Sequence, residues 1–504
     1  MAPSVVEHPP SGIETVWVVD PAALSAPEQT LAATLQGLVA SGRAVIWMAD
    51  PGMDALLLAG LEAEGVEMRE TDSVWQLIAE FRDQLQGAVL YDLGTDSINV
   101  ATSLCGPMQA VAVDTSLLAE AEDAGLPVLA DVRGYDEVQA FDEYGDLFTS
   151  GSGPGILIEQ GESKNAHLRD FAVARRAFTL YGVGREDHAR IAAALGPDLT
   201  VYGWGGDEHV WVHQVSSEGG AAVAADWSRN LSVMQRVPAT LPERPHVQVE
   251  PARRGERIVA FVMSDGDNIQ WMGGQFATSE GFWANPHRGE FDMTWEMAPL
   301  LSDVAPRALA YFYQSASHGR GRGRGTDDFV TGPSGVGYAF HNYLPDRMAF
   351  AERTASAMAA SDLTIATMLN SSGRMEQSTE LLEQPQVMGV IYKDYSPYNA
   401  KGGRIFWYEG KPCVSYRYLL WESKRANSPQ GVAEAIAQLP ADPQNDPDSY
   451  ALINVHAWSF KEMGGPMEAV KQTVDLLPRK TRVVTAEEFF ILLRENFGTP
   501  IVQE

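Results

Sequence analysis

Arg257-Ile258-Val259-Ala260-Phe261-Val262-Met263 runs without a break into Ser264-Asp265-Gly266-Asp267-Asn268. A short apolar run closed by a Gly- and Asp-rich turn reads as a buried strand and the loop that follows it. Downstream the pattern repeats. Residues 308–313, 364–368, 387–392, 451–455 and 481–484 are strand candidates, and 348–360, 429–438, 467–476 and 486–497 are helix candidates. Alternating units of this kind predict a barrel-like (β/α) domain over residues 251–504. Functional groups in such a domain sit at the carboxyl ends of strands, where the 264–268 turn falls.

Upstream, Thr15–Val19, Ala44–Met48 and residues 88–91, 110–113 and 127–132 read as buried strands, with helical patterns at 25–40 and 73–85. Strands alternating with helices predict βαβ units and a parallel sheet, so residues 1–250 form an N-terminal α/β domain. Asp20, Asp50, Asp92 and Asp131 close strands; a carboxylate there caps the next turn or lines a ligand crevice. No GxGxxG follows the first strand, which argues against a dinucleotide site. Residues 163–182 read as a helix, and residues 199–231 as two short strands around a Gly-rich turn. Four prolines between 237 and 255 mark a linker, placing the boundary near residue 250.

The 504 residues carry 67 acidic and 37 basic side chains, a formal net charge of −30. Such a surface repels phosphate backbones and anionic lipid, so nucleic acid and membranes are not expected partners. Cys105 and Cys413 lie far apart and read as free thiols in a reducing compartment. Residues 1–10 show no basic and apolar leader pattern, and no apolar run is long enough to span a bilayer, so a cytoplasmic location is expected.

Chemistry concentrates in a few segments. Gly266 lets the chain turn tightly, so Asp265 and Asp267 can face one cleft and serve as an acid and base pair or hold a divalent cation. The alternative is a loop whose Asp265, Asp267 and Asn268 only satisfy backbone groups. Asn454-Val455-His456-Ala457-Trp458-Ser459 closes another predicted strand. His456 is a candidate base, proton donor or metal ligand, and Trp458 a platform for a sugar ring. Gly332-Pro333-Ser334-Gly335-Val336-Gly337-Tyr338-Ala339-Phe340 allows close backbone approach, with Tyr338 offering a phenol. After the 387–392 strand come Asp394, a candidate catalytic carboxylate, and Tyr395; Arg417 is a candidate clamp for substrate. Arg320, Arg322 and Arg324 alternate with glycine as a solvated basic loop or a cover for an anionic ligand.

Together these segments resemble the GxGYxYP family, whose name motif begins here at Gly335. Residues 35–39 and 203–232 resemble its N-terminal part, and the 264–268, 332–338, 394–398, 411–421 and 454–459 segments resemble its C-terminal part, in order. Phe340 stands where the motif has its second Tyr, and His341 where it has Pro. Phe lacks a hydroxyl donor, so any shared contact through that group is lost. The resemblance implies glycoside hydrolysis of a carbohydrate or other polyhydroxylated substrate. Asp265 and Asp267 are then the core acids, with Asp394 or Glu296 opposite. Asn268, Tyr338, Tyr395, Arg417 and Trp458 would hold the sugar. Two other readings remain. Asp265, Asp267 and His456 could carry a divalent metal in a carbohydrate esterase or deacetylase, or the chain could bind glycans without catalysis.

Overall fold

Twenty strands build five sheets in a computed structural model that describes residues 8–149, 154–245, 249–319 and 324–498. In the N-terminal half, β1 (Thr15–Val19), β2 (Ala44–Met48) and β3 (Glu67–Thr71) form one parallel sheet in the order β2-β1-β3. A second parallel sheet has β4 (Gly87–Tyr91) between β5 (Ala110–Asp114) and β6 (Val128–Asp131). The third orders β10 (Ala221–Ala224), β9 (Thr200–Gly203), β7 (Ile156–Glu159) and β8 (Phe178–Leu180), again parallel. The parallel sheet expected from alternation is thus three short sheets. Residues 163–182 split into a helix, Arg169–Arg175, and β8. Between β9 and β10 stands the helix Glu208–Ser217, where sequence reading expected only a turn.

The two family-like N-terminal segments meet. The Asn230 side chain accepts from Gln36 Nε2 at 2.7 Å and from Met48 N at 2.8 Å, and donates to Met48 O at 2.8 Å and to Asp54 Oδ2 at 2.6 Å. Gly37 faces the helix Arg169–Arg175 so closely that a Cβ there would lie 2.4 Å from Asp170 O. These residues lock the first sheet to the third, a packing role that their types alone did not announce.

In the C-terminal half, β11 (Arg257–Met263) is the centre of a sheet ordered β13-β12-β11-β19-β18, with β12 (Met293–Met297), β13 (Asp327–Thr331), β18 (Tyr418–Leu420) and β19 (Tyr450–Val455). The short strand β20 (Thr481–Val483) pairs with the first residues of β11. A second sheet orders β14 (Ile365–Asn370), β15 (Gly389–Asp394), β17 (Lys411–Ser415) and β16 (Ile405–Tyr408), of which β16 runs antiparallel. Among the described residues no closed barrel forms. Ladder pairing between β13 and β14 is replaced by a single Pro333–Thr367 bridge beyond the end of β13. On the other side the chain leaves one sheet at Ser415 and joins the other at Tyr418. Residues 308–313 are not a strand. They belong to the helix Pro306–Ser315, started by a proline at its first turn and burying Leu309, Phe312 and Tyr313 on one side. Arg320 and Arg322 lie outside the described residues, as do residues 1–7 of the segment read for a leader; Arg324 is exposed. No described helix is long and apolar enough to cross a membrane.

Candidate active site

The parallel register sets Met263 beside Val455, so the turns leaving β11 and β19 emerge together. Ser264 N donates to Val455 O at 2.9 Å. Trp458 Nε1 donates to Asp265 Oδ1 at 2.9 Å, and the Ser264 hydroxyl makes a short hydrogen bond to Asp265 Oδ2. Asp265 adopts φ 70°, a conformation that Asp tolerates better than most residues. Gly266 is obligatory by contact: a Cβ there would lie 1.8 Å from Glu296 O. Asn268 caps the short helix that follows, accepting from Trp271 N at 3.0 Å.

A cavity of about 260 Å³ opens over this turn, walled by Asp265, Asp267, Asn268, Gln270, Lys393 and Trp458 from the C-terminal half. Trp204, Glu208, Asp226 and Trp227 from the N-terminal half complete the wall with Pro333, Tyr338 and Tyr398. Trp227 is 58% exposed and Trp458 40%, so two indole faces stand at the rim. The name-motif loop reaches the cavity because it extends the third N-terminal sheet. Tyr338 N donates to Ala222 O at 2.7 Å, and Ala222 N donates to Tyr338 O at 3.0 Å, on edge strand β10. Gly332 packs on Asp267, where a Cβ would come within 2.4 Å of its backbone nitrogen. The Tyr338 hydroxyl donates to Glu208 Oε1 at 2.8 Å.

Beneath the turn, the buried Lys393 ammonium pairs with the buried Glu296 carboxylate in a short contact. Glu296 Oε2 also accepts from Asp265 N at 3.0 Å. Burial pushes the Glu296 carboxyl up to about 7 despite the opposing pull of Lys393. Asp267 is raised well above the usual carboxylate range, first by desolvation and then by the charges of Asp265 and Glu296, against Lys393. Desolvation also raises Glu208, with Asp265 adding to it and the Tyr338 hydrogen bond opposing. A protonated carboxyl beside hydrogen-bonded carboxylates suits proton donation.

Of the residues chosen from sequence, Asp265, Asp267, Asn268, Tyr338 and Trp458 line this cavity. His456 stands to the side. Its ring lies flat on Trp421, 3.7 Å between centroids, and Nδ1 meets Ser459 Oγ at 2.7 Å. Burial lowers its pKa, and Asp265 partly restores it. Asp394 does not face the cavity wall. Its carboxylate pairs with Lys401 at 3.0 Å and accepts from Tyr392 OH and Gly373 N, each at 3.2 Å. Arg417 pairs with Asp448 at 3.0 Å, and Tyr395 packs on His209 and Phe340. Phe340 is fully buried among Tyr338, Tyr343 and Tyr395, so its missing hydroxyl concerns the core and not the cavity. His341 is also buried. Sequence reasoning missed Glu208, Lys393, Trp204 and Asp226. The Gly205-Gly206-Asp207-Glu208 turn after a strand was the available signal for the first.

Among the described residues no three His, Cys, Asp or Glu side chains group as metal ligands. Asp265 is occupied by Trp458 and Ser264, and the His456 ring by Trp421 and Ser459.

Three family models match the chain: "GxGYxYP putative glycoside hydrolase C-terminal domain" over residues 256–494, "GxGYxYP_N second domain" over 85–148, and "GxGYxYP third domain" over 154–235. The chain belongs to the GxGYxYP family. A crystal structure of a "putative hydrolase" from Bacteroides thetaiotaomicron VPI-5482 is similar to this GxGYxYP chain over its length, with a TM-score of 0.85 and 25% identity, covering 97% of this chain and 96% of that one. No curated protein matches it.

Proposed function

We propose that this GxGYxYP protein hydrolyses glycosidic bonds, with Asp267 as proton donor and Asp265 as the neighbouring carboxylate that keeps Asp267 protonated. The observation carrying this is the paired carboxylates at the wall of a cavity rimmed by two exposed indoles. Burial first, and the like charge of Asp265 second, hold Asp267 well above the ordinary carboxylate range, which supports it as the acid of the pair. The indole faces suit the apolar side of a sugar ring. The family description and the hydrolase neighbour support the same reaction class. The same reading treats the two C-terminal sheets as an opened barrel, because their strand ends converge on the cavity. Asp265 and Glu208 make no ion pair among the described residues, while Lys393 is held by Glu296, and this balance favours neutral sugars over uronic acids.

The test is hydrolysis of a panel of neutral oligosaccharides by the wild type, D265N and D267N, each checked for native circular dichroism. The reading expects turnover by the wild type and a loss of about 10²–10⁴-fold in D267N. Wild-type rates in both variants would remove it. A wild type that binds the sugars without hydrolysing them, with binding that survives both substitutions, would favour a glycan-binding protein.

A further inference from the structure

We propose that Glu208, contributed by the N-terminal half, is the second catalytic carboxylate and takes the proton of the water that attacks the sugar. This rests on the glycosidase reading above. Four carboxylates line the cavity: Glu208, Asp226, Asp265 and Asp267. Asp226 is neutralised by a short ion pair to Lys164. Asp265 and Asp267 share one turn and serve the proton-donor side. Among the described residues Glu208 makes no ion pair, and it enters the cavity from the other half of the chain. The two carboxylates expected opposite the turn do not fill this place. Asp394 is held by Lys401, and Glu296 lies under the turn on Lys393.

Glu208 is built for a fixed position. It opens the helix Glu208–Ser217, while Asp207 takes the capping role by accepting from Val210 N at 3.0 Å. That leaves the Glu208 carboxylate to the cavity, where the Tyr338 hydroxyl holds Oε1 at 2.8 Å. Tyr338 is itself pinned by its paired backbone hydrogen bonds to Ala222 and by Trp204, whose ring stacks 6.1 Å away. In the reaction the Asp267 carboxyl gives its proton to the glycosidic oxygen as the C1–O bond breaks and the alcohol leaves. The water oxygen bonds to C1 from the opposite face and its proton passes to Glu208. Asp267 ends ionised and Glu208 protonated, and both exchange protons with solvent. The product has inverted anomeric configuration.

The test uses the full chain and 4-nitrophenyl glycosides of the common neutral hexoses in both anomeric forms. E208Q keeps the side-chain shape and an acceptor for Tyr338, so it should fold, and E208A provides an open site. We expect proton NMR to show inversion by the wild type and E208Q to lose about 10²–10⁴-fold in turnover. We expect azide to restore turnover in E208A as a glycosyl azide of inverted configuration, and Y338F to lower kcat with little change in KM. Rates in E208Q within about threefold of wild type, alongside a D267N that loses turnover on the oligosaccharide panel, would overturn this proposal and leave the glycosidase reading standing. Retention of configuration by the wild type would overturn it as well. A wild type inactive on the whole panel would overturn the glycosidase reading and this proposal with it.

Discussion

Asp267 and Lys393 decide what the cavity does. A carboxyl whose folded pKa is raised binds its proton better in the folded state, so its contribution to stability is full below the unfolded pKa and is lost as pH rises through the folded one. Desolvation and Asp265 raise Asp267 in this way. D267N therefore melts higher than the wild type at pH 7, with a difference that shrinks as pH falls into the ordinary carboxylate range. Calorimetry at pH 7 and pH 4 checks this; a D267N chain that melts lower at pH 7 contradicts it. Lys393 works in the opposite sense. It is buried against Glu296, so K393M leaves an uncompensated buried charge and costs about 3–5 kcal/mol. Urea unfolding at pH 7 measures the loss. Without the pull of Lys393 the Glu296 carboxyl is raised further, so the K393M deficit narrows as pH falls toward the ordinary carboxylate range. The same residue shows why part of the site was hidden. Lys393 and Asp394 are consecutive in β15 and point to opposite faces. The acidic neighbour looked chemical in the sequence, yet the pleat turns the lysine to the cavity and the aspartate to Lys401.

At the level of elements, the turn after β11 was legible because an apolar run ended in polar residues around one glycine. The turn after β19 was legible on the same grounds, and the ladder between the two strands brings them together. Gly266 is where this arrangement is tightest. G266A drives a Cβ into Glu296 O and should cost about 1–3 kcal/mol, with turnover falling because Asp265 and Asp267 shift. Thermal melts paired with rate measurements test this; a wild-type melting temperature with full activity contradicts it. Other elements resisted reading. Ala308-Leu309-Ala310-Tyr311-Phe312-Tyr313 is apolar and aromatic enough for a strand, but Pro306 starts a helix and its buried side repeats at helical spacing. The charged β3 escaped notice because its burial is slight and its place is set by pairing with β1.

The whole molecule explains what no local pattern holds. The cavity needs both halves, since Trp204, Glu208, Asp226 and Trp227 arrive from a part of the chain that ends before β11 begins. Tyr338 reaches Glu208 because the 332–340 loop pairs with edge strand β10. That docking is a tertiary event, so spacing in the sequence says nothing of it. The N-terminal sheets depend on a similar event at Asn230, whose buried amide ties together Gln36, Met48 and Asp54. N230A strands several of these groups and should cost about 3 kcal/mol or more. Because the third sheet carries both Glu208 and the dock for Tyr338, turnover should fall along with the denaturation midpoint. Unchanged stability would show that the sheets hold together without this contact.

Leaving-group dependence separates a proton donor from every other role for Asp267. Rates of wild type and D267N would be measured on a 2,4-dinitrophenyl glycoside, which departs without protonation, and on the matching alkyl glycoside, which does not. The account predicts that D267N loses about 10²–10⁴-fold on the alkyl glycoside and stays close to wild type on the dinitrophenyl one. Equal losses on both substrates, or no loss on either, would contradict it.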